Sequence, residues 1–254
     1  MKSLIANTRL LRLIFIPFLK KFNFDVKWKH DITKRPFYLK SFDHKGYWFY
    51  GKSREKDELK FFKKLILKDF CVLEVGTHIG YLTQCFEDLV GSGGRVLAVE
   101  PTKNSLRYLK KNVRPNTIII EKAASYKKGQ AEFFIEELGG FTNSLVEEFT
   151  YSSTKSNIES QNVFSNVSSV LVETDTLDNI CKQNNFKPNF VKIDVEGAEF
   201  DVLRGASNTL KNASSLMVEI SRNESEVLSL LSAFGFKRIP GATKTNNYFF
   251  VKGD

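Results

Sequence analysis

Several features are scarce in this 254-residue sequence, and each scarcity excludes a class of protein. Only three cysteines occur, Cys71, Cys85 and Cys181, and no CxxC pair is present, so neither a disulfide framework nor a zinc-site spacing is indicated. Glycine and proline number 15 and 6, which excludes collagen-like and low-complexity composition. With 42% hydrophobic residues the chain can bury a core, and we expect a globular protein of a reducing, cytoplasmic compartment.

The N-terminus lacks the run of about 20 apolar residues that a membrane-spanning helix needs. Its apolar stretch, Leu10–Leu19, is too short and contains Pro17. Lys20 and Lys21 follow it directly, without the small residues at which a signal peptide is cleaved. Two interpretations of residues 4–24 remain open. The segment contacts an anionic membrane surface peripherally, or it packs on the domain or in a homodimer interface.

Acidic residues are scarce in the first 69 residues, which contain 18 Lys and Arg against 7 Asp and Glu. The remaining residues contain 20 and 22, so the formal net charge of +9 arises entirely at the N-terminus. A main domain that binds nucleic acid would be expected to carry Lys and Arg across its surface, because the affinity grows with the number of phosphates that are neutralised. We therefore interpret residues 1–69 as a basic, aromatic appendage ending in a helix over Asp57–Lys68, and residues 70–254 as the main domain. His30 and His44 are expected at the surface of the appendage.

From Phe70 onward, short apolar runs alternate with helix-length stretches, as in βα units around a parallel sheet. The runs predict strands at Cys71–Val75, Arg95–Val99, Thr117–Glu121, Phe190–Asp194 and Ser215–Ile220, and helices at Tyr81–Leu89, Lys103–Asn112, Thr176–Gln183, Glu199–Leu210 and Ser225–Phe234. The last two runs, Phe236–Ile239 and Tyr248–Val251, have no room for a helix between them and predict an antiparallel hairpin. Residues 136–169 form a long polar insertion, which we interpret as a substrate lid.

Two glycines follow the first predicted strand, in Gly76-Thr77-His78-Ile79-Gly80. Such glycines let the backbone approach a ligand, but the GxxxG spacing argues against a dinucleotide fingerprint. Glu100 ends the next strand, at the sheet edge where ligands bind in open α/β folds, and its carboxylate can accept hydrogen bonds from ribose hydroxyls. The pattern favours a nucleoside-containing ligand, although turn glycines and a solvated glutamate account for it too.

Three carboxylates follow the strand Phe190–Asp194 within six residues, at Asp194, Glu196 and Glu199. Strand alternation places Lys192, Asp194 and Glu196 on one side if the strand continues that far. Neighbouring acids repel one another unless a cation or a proton compensates them, which is common at functional sites. Glu199 is explained equally well by the preference for acidic residues in the first turn of a helix.

Five blocks together resemble the FkbM family of S-adenosylmethionine-dependent methyltransferases: VLEVGTHIGYLT (72–83), RVLAVEP (95–101), EKAASYKKGQAEFF (121–134), TDTLDNI (174–180) and FVKIDVEGAEFDVLRGA (190–206). The resemblance implies a class I methyltransferase α/β fold, a Rossmann-like sheet of seven strands that is mostly parallel with an antiparallel C-terminal hairpin. It also implies S-adenosylmethionine as cofactor and O-methylation of a sugar, glycan or natural-product hydroxyl. Glu74 and His78 stand where the family usually has Asp and Asn.

The site residues implied by this likeness lie where strands end. Gly76, Thr77 and Gly80 would contact the methionine portion of the cofactor, Glu100 its ribose and Ala123 its adenine; the full cofactor set is Glu74, Gly76, Thr77, His78, Gly80, Tyr81, Glu100, Pro101 and Ala123. An acidic rim of Asp194, Glu196 and Glu219 is the candidate catalytic set, with Asp194 first for proton removal. Such oxygen ligands can hold Mg²⁺, but no spacing demands a metal.

Two other functions stay open at this point. An RNA methyltransferase would use the basic, aromatic appendage for phosphate contact and base stacking, although Val-Glu-Gly follows Asp194 where a Pro-aromatic motif is common in base-modifying enzymes. A noncatalytic adaptor with a methyltransferase fold would not need Gly76, Gly80, Glu100 and Asp194 together. We expect a small-molecule, glycan or lipid-linked acceptor as partner, with nucleic acid less favoured.

Overall fold

The computed structural model describes residues 20–50, 54–136, 142–152, 167–241 and 245–253. Its strands, in chain order, are β1 (Asp25–Lys29), β2 (Pro36–Lys40), β3 (Cys71–Val75), β4 (Arg95–Val99), β5 (Ile118–Ile120), β6 (Ala123–Ala124), β7 (Gly129–Glu136), β8 (Val167–Asp175), β9 (Phe190–Ile193), β10 (Ser215–Glu219), β11 (Phe236–Arg238) and β12 (Asn247–Lys252). Each of the seven predicted strands is present, and β3 and β4 have the predicted bounds.

A seven-stranded sheet lies at the centre, in the order β11-β12-β10-β9-β3-β4-β5. The strands from β10 to β5 pair in parallel, whereas β12 is antiparallel to both β10 and β11. The predicted C-terminal hairpin and the class I methyltransferase sheet are therefore confirmed. Because β3, β4 and β9 are parallel neighbours, their carboxyl ends meet at one edge of the sheet, which brings Val75, Val99 and Ile193 close together.

The helices connect these strands: Lys45–Tyr50, Glu58–Leu65, Tyr81–Val90, Lys103–Asn112, Leu177–Gln183, Glu199–Arg204, Ser207–Asn212 and Glu224–Ala233. The prediction of one helix over Glu199–Leu210 is wrong, because the chain turns between the two halves at Gly205. A Cβ atom on Gly205 would lie 2.4 Å from the carbonyl oxygen of Ser125, and the Gly205 carbonyl accepts a hydrogen bond from the amide of Asp178. Tertiary contacts thus interrupt the helix.

The N-terminal segment covers one face of the sheet. Strands β1 and β2 form an antiparallel hairpin that the sequence analysis missed. The buried side chains of Phe37, Leu39, Tyr47 and Phe62 share a core with residues of the central strands, including Phe190. The division at residue 69 stays a prediction from the sequence, and the packing runs continuously across it.

The expected surface positions of His30 and His44 are wrong, because their side chains are 0% and 5% exposed. His30 Nδ1 accepts hydrogen bonds from the amides of Ile32 and Thr33, so the proton lies on Nε2, 3.0 Å from the carbonyl oxygen of Tyr81. His44 Nδ1 accepts a hydrogen bond from the amide of Lys40. Burial lowers the pKa of both imidazoles to about 4, so they are neutral structural groups.

A second sheet of three strands, in the order β6-β8-β7, was also not predicted. Strands β7 and β8 pair in an antiparallel manner and flank the insertion predicted at 136–169. Part of that insertion lies outside the described residues, but residues 142–152 fold back towards the main sheet. There the hydroxyl of Ser144 donates a hydrogen bond of 2.6 Å to the carbonyl oxygen of Glu196. Whether the insertion acts as a lid stays a prediction.

The membrane expectation falls mostly on residues outside the described part. Among the residues that the structure describes, no helix is long and apolar enough to cross a membrane. Phe22 and Phe24, at the end of the predicted contact segment, are 48% and 60% exposed.

Candidate functional site

The loop after β3 passes very close to the end of β9. Gly76 has a φ of +78°, and a Cβ atom there would lie 1.7 Å from the carbonyl oxygen of Asp194. Only glycine fits this position, and it ties the predicted cofactor loop to the predicted catalytic strand end. Gly80, with a φ of +85°, precedes the helix Tyr81–Val90, and a Cβ atom there would lie 2.8 Å from Leu109. Gly80 therefore serves the packing of the helix on its neighbour.

Glu100 follows β4 and is 6% exposed, with its carboxylate turned to the loop. Its Oε2 accepts a hydrogen bond from the amide of His78 at 2.9 Å, and its Oε1 accepts two from Thr102, from the amide at 3.0 Å and from the hydroxyl at 2.5 Å. Because each carboxylate oxygen accepts about two hydrogen bonds, one position remains on Oε2. Burial raises the pKa of Glu100 to about 7 despite these donors.

A pocket of about 930 Å³, open to solvent, lies at this edge of the sheet. Most of the predicted site residues line it: Glu74, Gly76, Thr77, His78, Tyr81, Glu100, Pro101, Ala123, Asp194 and Glu196. Gly80 is not among the lining residues. Within the described part of the chain, two buried lining hydroxyls, Thr77 Oγ1 and Tyr81 OH, have no hydrogen-bond partner. Buried polar groups are nearly always satisfied, so these two fit a polar ligand such as the predicted cofactor.

Asp194 and Glu196, which line the pocket, form a cluster with Glu219, which is not among the lining residues. One carboxylate oxygen of each lies within 4.8 Å of the others. Strand β9 ends at Ile193, and Glu196 reaches the cluster through a turn with a φ of +54°. Three oxygens at this spacing are of the kind that can hold Mg²⁺, an ion that the sequence analysis considered but did not predict.

The three carboxyl groups differ in charge. Burial alone would raise the pKa of Asp194, but the ammonium of Lys192 and a hydrogen bond with Glu219 outweigh it and lower this pKa. The charge of Asp194, together with burial, raises the pKa of Glu219 far above its ordinary value. Burial and the same charge raise the pKa of Glu196. Asp194 is therefore the member of the cluster that ionises first, and its two neighbours release their protons only at higher pH.

Lys192 compensates the charge of Asp194 from inside the sheet. The side chain is buried at 2% exposure, and its Nζ lies 3.0 Å from Asp194 Oδ2 and 3.3 Å from the carbonyl oxygen of Gly76. Glu74 is its register partner on β3 and is 1% exposed. Burial raises the pKa of Glu74 to about 7, although Lys192 and a hydrogen bond from Thr83 oppose the shift. Glu74 is thus a second buried carboxyl beside the ammonium of Lys192, at the bottom of the pocket.

Glu199 was weighed as part of the acidic group and has a local contact instead. Its Oε1 accepts a hydrogen bond from the amide of Gly197 at 2.7 Å, just before the helix Glu199–Arg204. Glu199 is the first residue of this helix, as the alternative expected, and its role stays a prediction.

Several lining residues were missed by the sequence analysis. Tyr47, Arg54 and Glu55 come from the N-terminal segment, and Asn143 and Leu145 come from the insertion. No spacing rule relates these residues to the strand ends, because they reach the pocket only through tertiary packing.

The geometry agrees with the comparison to protein families. A family model for the methyltransferase FkbM domain matches residues 74–238, which include the loop, Glu100 and the acidic cluster. The chain belongs to this family. As an FkbM methyltransferase it has the S-adenosylmethionine-dependent methyltransferase fold that the order of its sheet displays. No curated protein matches the sequence.

Solved structures similar to this FkbM methyltransferase include fibrillarin from Aeropyrum pernix with natively bound S-adenosyl-L-methionine, at 12% identity and a TM-score of 0.45, covering 90% of this chain and 82% of that one. A SAM-dependent methyltransferase from Aquifex aeolicus has 14% identity and a TM-score of 0.43, covering 82% and 96%. The precorrin-6y C5,15-methyltransferase of Geobacter metallireducens GS-15 has 11% identity and a TM-score of 0.42, covering 78% and 87%.

Proposed function

We propose that this FkbM methyltransferase binds S-adenosylmethionine in the pocket and methylates a hydroxyl group of a sugar, glycan or natural-product acceptor. The observation that carries the proposal is the shared pocket, in which the loop residues Gly76–His78 and Glu100 line the same cavity as Asp194 and Glu196.

The residues present fit this cofactor. Glu100 offers one acceptor position for a ribose hydroxyl, and Thr77 Oγ1 and Tyr81 OH offer unused hydroxyls for its polar tail. The backbone of Gly76 packs directly against the carbonyl oxygen of Asp194, and this contact keeps the loop against the end of β9. When bound, the cofactor supplies a methyl group on a sulfonium.

Asp194 then acts on the acceptor. Its carboxylate accepts a hydrogen bond from the acceptor hydroxyl, which orients a lone pair of the hydroxyl oxygen towards the methyl carbon. As the O–CH₃ bond forms and the S–CH₃ bond breaks, the hydroxyl becomes strongly acidic, so a carboxylate of low pKa suffices to take its proton. Lys192 keeps Asp194 ionised and oriented before the reaction. Glu219, whose pKa the charge of Asp194 raises, shares a hydrogen bond with Asp194, and Glu196 lines the pocket beside them.

The test combines cofactor binding with an acceptor panel. Calorimetry should detect binding of S-adenosylhomocysteine by the wild type and by Gly129→Ala, whose new Cβ atom would meet nothing closer than 3.8 Å. Gly76→Ala, checked for folding by thermal melting, should lose binding because of its 1.7 Å contact. Transfer of an isotope-labelled methyl group to glycans, lipids or RNA then identifies the acceptor. Absence of cofactor binding by the folded wild type would refute the proposal, and labelling of RNA alone would replace its acceptor.

A further inference from the structure

The pocket draws part of its wall from residues outside the region that the family model matches. Tyr47, Arg54 and Glu55 line it, although the match begins at residue 74. Of these three, Tyr47 is 5% exposed, and its ring packs against the rings of Phe37 and Tyr81. The N-terminal segment therefore meets the cofactor loop through a buried, specifically packed side chain.

Tyr47 and His44 hold the imidazole of His78. The hydroxyl of Tyr47 lies 2.7 Å from His78 Nδ1, and the two rings stack with centroids 5.8 Å apart at 23°. The ring of His44 meets the ring of His78 edge-on, with centroids 5.3 Å apart at 80°. Burial raises the pKa of the Tyr47 phenol, so the hydroxyl stays protonated and can donate a hydrogen bond to Nδ1.

The backbone of His78 needs such support. It has a φ of +50°, in the left-handed region that residues other than glycine rarely adopt. In this conformation its amide donates to Glu100 Oε2 at 2.9 Å. A hydrogen bond on the imidazole therefore stabilises the backbone conformation that directs the amide to Glu100, and it connects the N-terminal segment to the predicted ribose-binding carboxylate.

We infer that Tyr47 is a positioning residue for the cofactor, acting through His78 on Glu100, and that the N-terminal segment is part of the functional site of this FkbM methyltransferase. The inference rests on the proposed function. It adds to the cofactor site a residue that acts without contact to the methyl acceptor. It also adds a segment that lies outside residues 74–238.

A double-mutant cycle tests the connection. Tyr47→Phe removes only the hydroxyl, and His78→Asn removes its partner ring. We expect Tyr47→Phe to weaken the binding of S-adenosylhomocysteine three- to tenfold in calorimetry, as fits the loss of one hydrogen bond. In the His78→Asn background the same change should alter the affinity less than twofold. Tyr38→Phe, which removes a hydroxyl from β2 of the same segment, is the matched control and should leave the affinity unchanged.

A kinetic measurement separates positioning from general damage. Tyr47→Phe should raise the KM for S-adenosylmethionine and leave kcat within about twofold, because its effect is on binding. If Tyr47→Phe melts at a clearly lower temperature, His78→Phe removes the same hydrogen bond from the loop side and should weaken binding to a similar extent. Unchanged affinity in these variants, or an equal loss in both backgrounds, would overturn the inference. Failure of the wild type to bind at all would instead refute the proposed function.

Discussion

The affinity of the protein for S-adenosylhomocysteine should depend on pH through Glu100. Burial raises the pKa of Glu100 to about 7, so the carboxyl is half protonated in the free protein near neutral pH. Only the ionised form keeps both oxygens as acceptors, with Oε1 used by Thr102 and one position left on Oε2. The ligand should therefore bind the ionised form and release a proton where the carboxyl was protonated.

The size of the effect follows from linkage. With a pKa of about 7, about one molecule in eleven is ionised at pH 6 and about ten in eleven at pH 8, so the dissociation constant should fall about tenfold between these values. Whereas the affinity rises with pH, the stability of the ligand-free protein should fall with pH. A carboxyl whose folded pKa is raised stabilises the fold below its unfolded pKa of about 4.5, and this stability is lost as the pH rises through about 7.

Glu100→Gln is the decisive variant for this reasoning. At pH 8 it should bind the ligand at least about tenfold more weakly, since a hydrogen bond to a charged group contributes about 1.5–3 kcal/mol. It should also lose the pH dependence, which calorimetry at pH 6, 7 and 8 measures. Glu74 has a pKa of about 7 as well, so a pH dependence that survives in Glu100→Gln would assign the proton to another group such as Glu74. A wild-type affinity constant across this range would refute the argument.

Three further predictions concern other parts of the chain. Asp194→Asn should lower turnover roughly 10²–10⁴-fold and leave cofactor affinity within about threefold, as measured by labelled methyl transfer with and without EDTA; near-normal turnover would make Asp194 structural. Burial lowers the pKa of His30 to about 4, so stability is lost as the pH falls below about 6.5, and His30→Gln should flatten the decrease in Tm from pH 7 to 5. Through residues 4–24 the protein should sediment with anionic vesicles at low salt but not at high salt; equal sedimentation of a truncated protein that begins at Asp25 would contradict this.

The central strands could be predicted because each is a short apolar run buried on both faces. In β3 and β4 every residue after the first is buried, and the sequence pattern and the structure agree to the residue. The hairpin of β1 and β2 was missed although Val26 and Trp28 alternate with Lys27 and Lys29, a period of two that the basic composition concealed. The interpretation of this segment rested on its net charge and did not take its strand periodicity into account.

The site could be predicted where the parallel sheet itself brings residues together. Glu100 follows β4 and Asp194 follows β9, the two parallel strands on either side of β3, so the order of the strands places both residues at the same edge of the sheet. The unpredicted Tyr47 reaches the same pocket from a segment whose docking depends on buried side chains such as Phe37 and Phe62. Its partner His78 belonged to the predicted cofactor set, but the sequence could not name the side chain that hydrogen-bonds to it.

Lys192 shows what a sequence can say about a buried charge and what it cannot. A lysine in the middle of an apolar strand requires a nearby anion, since burying an unpaired ammonium is very costly. Asp194, two residues later, is the anion that strand alternation predicts, and its Oδ2 lies 3.0 Å from the ammonium. The second carboxyl, Glu74, precedes Lys192 by more than one hundred residues and becomes its neighbour only through the pairing of β3 with β9. The charge balance that keeps Asp194 ionised is therefore a property of the sheet, and it could not be derived from the IDVEG motif alone.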